Sequence, residues 1–573
     1  MKTIALISAL LWVPAASIAP PGTQQGDGPL NFLRQFNTTI KTRFLHPHTC
    51  HNLTDQQCIQ MDEQFEKQGR KLQDATKANG FLRTLVICIR WLDHEDRDLP
   101  SIENITFLVN GTETDPVVAP SGSIQSWMDQ NSQFKLSTEF DVIPSWISAD
   151  NTEEYYSFGR AGLPADFRFG IYSVLEVLDA QGIDWTRYDQ DQDGQIDSVM
   201  VFHSGYEAAF GGSDCYGTGY LNRIWSHTLN EPEDRQWVSS RTGMRAGSFS
   251  VAPAARGICD ANIARMGIHV HEFLHQFALP DLWDQGDFIG RGIGDWDVMS
   301  SPYGVDGTGV YPTHLSPWSK QQIGWVDPEE ITEDGLYSIN ASETSTNVYM
   351  FSIPYFVGEY LLIENRQPTF WDVQLFGGGL LIYHIDLFRR NQKYRGYPGL
   401  DGWPINDRHY MVALLGADKE YDLEKGRRAD DGDYYREGLE IGPGPPEHIA
   451  TNPEWYPNTN GYQGGIIYET GIRIYDISAS GAQMTFRVSG LLGDSIPSTS
   501  PTRMPSVEPT TKPSIKPIII GQTYSAVPSE APSLLPVDPP ICVEQHTKHL
   551  RRRIGCGKRS RAGGRTKIQH ARG

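Results

Sequence analysis

Hydrophobic positions along the chain change their spacing from region to region, and each spacing predicts a different element. At Phe81 a nearly continuous apolar run begins, through Leu82, Leu85, Val86, Ile87 and Ile89, the pattern of a buried strand. Between Ala165 and Gln181 the apolar residues Phe167, Ile171, Val174, Leu175, Val177 and Leu178 fall at helical spacing. Ser198 to Phe202 reads as a short strand. Ala261 to Leu279 contains no helix breaker, and Pro280 supplies a stop, so a helix is predicted there. Strands and helices are therefore mixed from about 80 to 330. From Ile331 to Val488 the signals are mostly strand-like (Asn347 to Ile353, Glu359 to Glu364, Gly379 to His384, Gln483 to Val488), punctuated by Gly, Pro and Asn. These residues predict a β-rich second lobe.

The two ends read differently. Lys2 followed by the apolar run Ile4 to Val13, then Ala15, Ala16 and Ala19, has the layout of an export signal over 1–19. Residues 20–78 are polar and mixed, an N-terminal extension or propeptide. After Gly490 Ser, Thr and Pro dominate, a composition that buries no core and predicts an extended, disordered linker over 491–540. Residues 541–573 are basic, with Arg551, Arg552 and Arg553 among them, although the whole chain carries a formal charge of -21. That asymmetry reads either as attachment to an anionic wall polymer or as a solvated end. Export disfavours a nucleic-acid partner, and no later stretch is long enough for a membrane-spanning helix.

Composition supports a folded, exported protein. In 573 residues, 39% are hydrophobic and 11% aromatic, enough for a sizeable core and for more than one domain. Seven cysteines suit an oxidising compartment, and neighbours along the chain suggest the pairs Cys50–Cys58, Cys215–Cys259 and Cys542–Cys556, with Cys88 a buried free thiol. Sequons at Asn37, Asn52, Asn104, Asn110 and Asn340 fit a secreted glycoprotein.

The chemistry concentrates in His271-Glu272-Phe273-Leu274-His275. Residues four apart share a helix face, so both imidazoles can bind one metal ion, and nitrogen ligands with water favour zinc. Glu272, beside the first ligand, can act as general base on a water. Such a string also arises on solvated helix faces. Here Phe273, Leu274 and Phe277 make one side of the helix core. A third protein ligand is needed, and Asp281 and Asp284 are candidates; turn chemistry is the alternative role for each.

The run His271 to Asp284 resembles the extended zinc signature of the immune inhibitor A family of secreted, metzincin-like metallopeptidases, His-Glu-x-x-His-x-x-Gly-x-x-Asp. The resemblance implies His271, His275 and Asp281 as zinc ligands and Glu272 as base. Ala278 stands where the family has Gly, whose flexibility lets the chain swing the third ligand round. Gly294 to Ser300 is similar to the family's Met-turn, with Met299 as floor residue, and Tyr303 follows as an oxyanion donor or a packing residue. His314 to Lys320, Ile323 to Val326, Tyr360 to Arg366 and Gly379 to Asp386 are similar to later family segments. The implied fold is α+β: a metzincin-like zinc peptidase domain over 79–330, a sandwich-like β-rich domain over 331–490, then the tail.

A second ion site is expected at Asp189, Asp191, Asp193 and Asp197. The alternating carboxylates with Gly194 reproduce the start of a calcium loop, although Met200 takes the place of its final Glu. The expected function is a secreted zinc endopeptidase acting on proteins or peptides. The alternative is a wall-anchored binding or structural protein that kept the fold and lost catalysis, with Ala278 as its main support.

Overall fold

The computed structural model describes residues 78–491, except 164–166, 390–391, 404–407, 446–454 and 466. The export signal, the extension to residue 77, Cys50, Cys58, Cys542, Cys556, Asn37, Asn52, the Ser/Thr/Pro-rich linker and the basic tail lie outside the described residues.

The first sheet has the order β2-β1-β3-β7-β4. Strands β1 (Gly80–Arg90), β2 (Leu136–Ser148), β3 (Val199–His203) and β7 (Ser248–Pro253) run parallel, while β4 (His227–Asn230) lies antiparallel to β7. A two-stranded hairpin, β5 (Trp237–Val238) and β6 (Arg245–Ala246), stands beside it. The apolar run in β1 has a direct cause: both faces are covered. Leu85, Ile87 and Ile89 enter one core, and Leu82, Val86 and Cys88 enter another. Cys88 is a free thiol, and burial pushes it up to about 12.

Helix α1 (Ile102–Asn110) and helix α2 (Ile124–Asn131) cover one face, and α3 (Glu153–Ser157) follows β2. Helix α4 (Arg168–Gln181) covers the other face with Ile171, Val174, Leu175 and Leu178, and Gly182 at φ +88° ends it in a left-handed cap. The sequon at Asn110 is structurally engaged. Its amide donates to the Phe140 carbonyl at 2.7 Å and its oxygen accepts from the Phe140 N–H at 3.1 Å.

Helix α5 (Met266–His275) lies on the same side as α1 and α2. It is shorter than the stretch without breakers. Before it, Ala255 and Ile263 form an isolated bridge, and after it the chain turns well ahead of Pro280. Helix α6 (Pro317–Gln322) follows, with Ser316 capping it through a bond from the Ser319 N–H.

The second lobe contains two sheets. One has β13-β12-β11-β10-β8, built from β8 (Glu329–Glu330), β10 (Tyr349–Phe351), β11 (Glu359–Arg366), β12 (Gly379–Asp386) and β13 (Val412–Leu414). The other has β14 (Arg473–Tyr475), β15 (Gln483–Ser489) and β9 (Gly335–Asn340). Leu361, Ile363, Leu380 and Ile382 of the first sheet share a core with Ile339, Ile474, Met484 and Phe486 of the second. No helix among the described residues is long and apolar enough to cross a membrane. The architecture is mixed α/β, with few helices.

Candidate metal centre

Helix α5 separates its residues by function. Val270, Phe273 and Leu274 are fully buried, Phe273 lies 5.5 Å from the Phe140 ring, and His269 stacks on Phe202 at 4.1 Å. This apolar side fixes how the helix sits. His271 and His275 then come together, with ring centroids 4.7 Å apart and Nε2 atoms 3.2 Å apart.

Asp281 completes the cluster. Its Oδ1 lies 3.1 Å from His271 Nε2 and 3.3 Å from His275 Nε2. Three ligand atoms at about 2.0–2.1 Å from one tetrahedral zinc ion stand about 3.3 Å from each other, so this donor set fits the ion. The far nitrogens are held too. His271 Nδ1 bonds the Val298 carbonyl at 2.9 Å, and His275 Nδ1 bonds the Leu279 carbonyl at 2.7 Å. Each carbonyl requires a proton on Nδ1, which leaves Nε2 with its lone pair directed at the cluster. With no ion bound, burial pushes the Asp281 carboxyl up, but protonated imidazoles donating from Nε2 outweigh it and hold the carboxyl well below the usual carboxylate range; an ion at the cluster would take the place of those protons.

The turn that delivers Asp281 has its cost at Ala278, whose φ is +62°. Ala278 N–H donates to the His275 carbonyl at 3.0 Å, and the following residue presents the carbonyl that His275 uses. The missing Gly therefore does not divert the chain; Ala takes up the left-handed conformation. Asp284 has a different role. It is 2% exposed and accepts from Gly286 N–H at 2.8 Å and Gly290 N–H at 2.9 Å, which closes the next turn.

Met299 is fully buried in the turn that follows Trp296. Its carbonyl accepts from Leu282 N–H at 2.9 Å, and its N–H donates to Asp297 Oδ1 at 2.8 Å. Asp297 Oδ2 takes the Ser316 N–H at 2.8 Å and the Ser319 hydroxyl at 2.6 Å. One buried carboxylate thus links the Met299 turn to α6.

Glu272 is 4% exposed; burial raises its pKa, and the two imidazoles pull it back. The Thr228 hydroxyl on β4 lies 2.6 Å from the Glu272 carbonyl and 3.2 Å from its Oε2. Glu207, buried against Ser226 and the Ala209 N–H, adds a like charge nearby. Neither residue carries a local signal; strand pairing brings in Thr228 on β4, and the loop after β3 brings in Glu207. Tyr303 remains a protonated donor, because burial and the charges of Glu207 and Glu272 all push its hydroxyl upward.

Comparison with known sequences identifies this segment. Residues 123–326 match the family described as Immune inhibitor A peptidase M6, catalytic domain. The resemblance to immune inhibitor A peptidases is borne out. The chain is 28% identical over 217 residues to the pre-pro-metalloprotease PrtV of Vibrio cholerae serotype O1, covering 33% of this chain and 23% of that protein. It is 27% identical over 170 residues to Immune inhibitor A of Bacillus thuringiensis subsp. alesti, covering 26% and 24%. The chain thus spans about a quarter of the length of the curated relatives it matches. His271, Glu272, His275, Asp281 and Met299 all fall inside the M6 match; the whole second lobe falls outside it.

The expected calcium residues divide. Asp189, Asp191 and Asp193 have carboxylate oxygens within 4.8 Å of one another. Asp197 is not part of that trio; it is 5% exposed and accepts from the Gln190 N–H at 2.7 Å. Another buried group, His314, Glu343 and Asp372, is also close-set, but Arg366 lies among them, bonded to Asp372 and 3.6 Å from Glu343. A guanidinium there makes the group an ion-pair network between the lobes. Cys215 and Cys259 are both exposed and stand as free thiols. They are neighbours: the Cys215 N–H donates to the Ile258 carbonyl at 3.3 Å, and the two thiols interact.

Proposed function

We propose that this chain is a secreted, zinc-dependent endopeptidase on a metzincin-like fold, with His271, His275 and Asp281 as ligands and Glu272 as general base. The observation that carries the reading is the convergence of two oriented Nε2 atoms and Asp281 Oδ1 at mutual distances of 3.1–3.3 Å, beside a buried carboxylate. A bound zinc ion supplies Lewis acidity, lowering the pKa of water towards about 7 and polarising the scissile carbonyl. Glu272 removes a proton from the attacking water and returns one to the leaving amine nitrogen. Burial raises its pKa, which favours its holding the proton between the two transfers. Thr228 restrains Glu272, and Tyr303, still protonated, is available to donate towards negative charge developing on the carbonyl oxygen.

The test is hydrolysis of casein by the wild type and Glu272→Gln, with and without a zinc chelator. The variant is expected to keep its zinc and lose at least a hundredfold in kcat. Casein cleavage by the variant at the wild-type rate would remove Glu272 from the mechanism.

Two finer assignments accompany this reading. Asp189, Asp191 and Asp193 bind calcium as a structural ion, expected as a calcium-dependent rise in Tm that Asp191→Asn abolishes. On export, Cys215 and Cys259 join, passing two electrons and two protons to a disulfide oxidant. Secreted protein should then resist maleimide at both positions until reduced; immediate labelling would rule the bond out. Attachment of residues 541–573 to an anionic wall polymer is a separate proposal, tested by whether truncation at 540 releases the protein.

A further inference from the structure

The segment that carries Asp281 has little regular structure of its own. Between the end of α5 at His275 and the short turn at Gly294 it contains neither helix nor strand. Its position must therefore come from bonds to other parts of the molecule. One set comes from the peptidase lobe, where Leu282 N–H donates to the Met299 carbonyl. The other comes from Gln392, far along the chain in the second lobe and outside the M6 match.

Gln392 is fully buried, and its amide is completely used. Its oxygen accepts from the Val412 N–H at 3.0 Å, and its nitrogen donates to the Val412 carbonyl at 2.7 Å. The side chain thus reads one residue of β13 as a neighbouring strand would, which fixes its own orientation. The same nitrogen lies 3.3 Å from the Leu282 carbonyl, and the Gln392 carbonyl accepts from the Gln285 N–H at 3.1 Å. Gln285 in turn donates its side-chain nitrogen to Asp281 Oδ2 at 3.3 Å, which leaves Oδ1 to the imidazoles. The approach is close at backbone level as well. A Cβ on Gly286 would stand 1.8 Å from the Lys393 carbonyl, so only Gly allows the two segments to lie this near.

We propose that Gln392 is a positioning residue for the metal ligand Asp281, acting through Gln285, so that the second lobe sets the metal affinity of the peptidase lobe. This rests on the zinc reading above. A hydrogen bond to the non-ligating oxygen restricts rotation of the carboxylate, and anchoring the donor's own backbone makes that restriction rigid. Partners of this kind typically contribute 10- to 100-fold in metal affinity.

The experiment measures zinc affinity by chelator competition on the full chain, for wild type, Gln392→Met and Gln285→Met, together with the Tm of each zinc-free protein. Both variants are expected to bind zinc about 10- to 100-fold more weakly. Gln285 is only half-buried, so Gln285→Met should leave the zinc-free Tm close to wild type, separating positioning from folding. The double variant should be little worse than either single one, because both act along one path. Wild-type affinity in Gln285→Met would overturn the proposal even if Gln392→Met failed to fold. Wild-type affinity in Gln392→Met with a loss in Gln285→Met would confine the effect to Gln285 and overturn the role of the second lobe. A wild type whose zinc binding is indifferent to His271→Ala would instead overturn the zinc reading itself.

Discussion

Ala278 offers a measurable test of how the turn after α5 is held. Its φ of +62° places an L-residue in the left-handed region, which costs roughly 1–2 kcal/mol relative to ordinary backbone. Its methyl group is exposed, so removing it forfeits little burial and opens no cavity. Ala278→Gly therefore relieves the strain, against about 0.4–1 kcal/mol for the greater freedom of Gly in the unfolded chain. The net expectation is stabilisation of about 0.5–1 kcal/mol, or about 1–4 °C in Tm for a domain of this size. Ala278→Val should move the other way by more than 1 kcal/mol, because a β-branched residue fits that region poorly. Thermal and urea unfolding of the zinc-loaded protein would measure both. If Ala278→Gly destabilised the protein by 0.5 kcal/mol or more, strain at this position would not be the controlling term. Casein cleavage should survive the Gly substitution, since the bonds on either side of the turn belong to backbone and to His275.

Two further outcomes follow from the buried charges. Asp372 is fully buried and takes the Arg366 guanidinium, the His314 ring at 2.8 Å and the His314 N–H at 3.0 Å. Asp372→Asn leaves Arg366 with Glu364 at 3.1 Å and should cost about 3 kcal/mol in urea unfolding, near the lower end for a broken buried pair; a loss under 1 kcal/mol would refute the network's importance. His94 is buried with Nδ1 2.9 Å from the Ser204 hydroxyl, and burial, with the Arg97 charge, lowers its pKa to about 4. The unfolded chain, with His near 6.5, therefore binds this proton more readily, and stability is lost as pH falls from 6.5 towards 4, by roughly 2 kcal/mol at pH 4.5. His94→Asn should flatten that slope, and an unchanged slope between pH 7 and 4.5 would assign the loss to other groups.

Much of the molecule was legible because the signals were local. A strand buried on both faces must be apolar throughout, so β1 announced itself; a helix with one core face must place Val270, Phe273 and Leu274 at helical spacing, so α5 did too. Two His residues four apart on such a helix share a face whatever the rest of the chain does. Only tertiary structure decided the remainder. The choice between Asp281 and Asp284 was made by the course of the loop, which turns at the left-handed Ala278 and is held by Met299 and Gln392, so that one carboxylate meets the imidazoles and the other closes a turn. Asp197 stands apart from the acidic trio and accepts the Gln190 N–H, a pairing that spacing alone does not reveal. Thr228 and Gln392 reach the site through strand pairing and through contact between lobes, where sequence distance carries no information about spatial distance. Helix and strand periods are written in nearest neighbours; the partners of a polar group are set by whichever donors the fold brings within 3 Å.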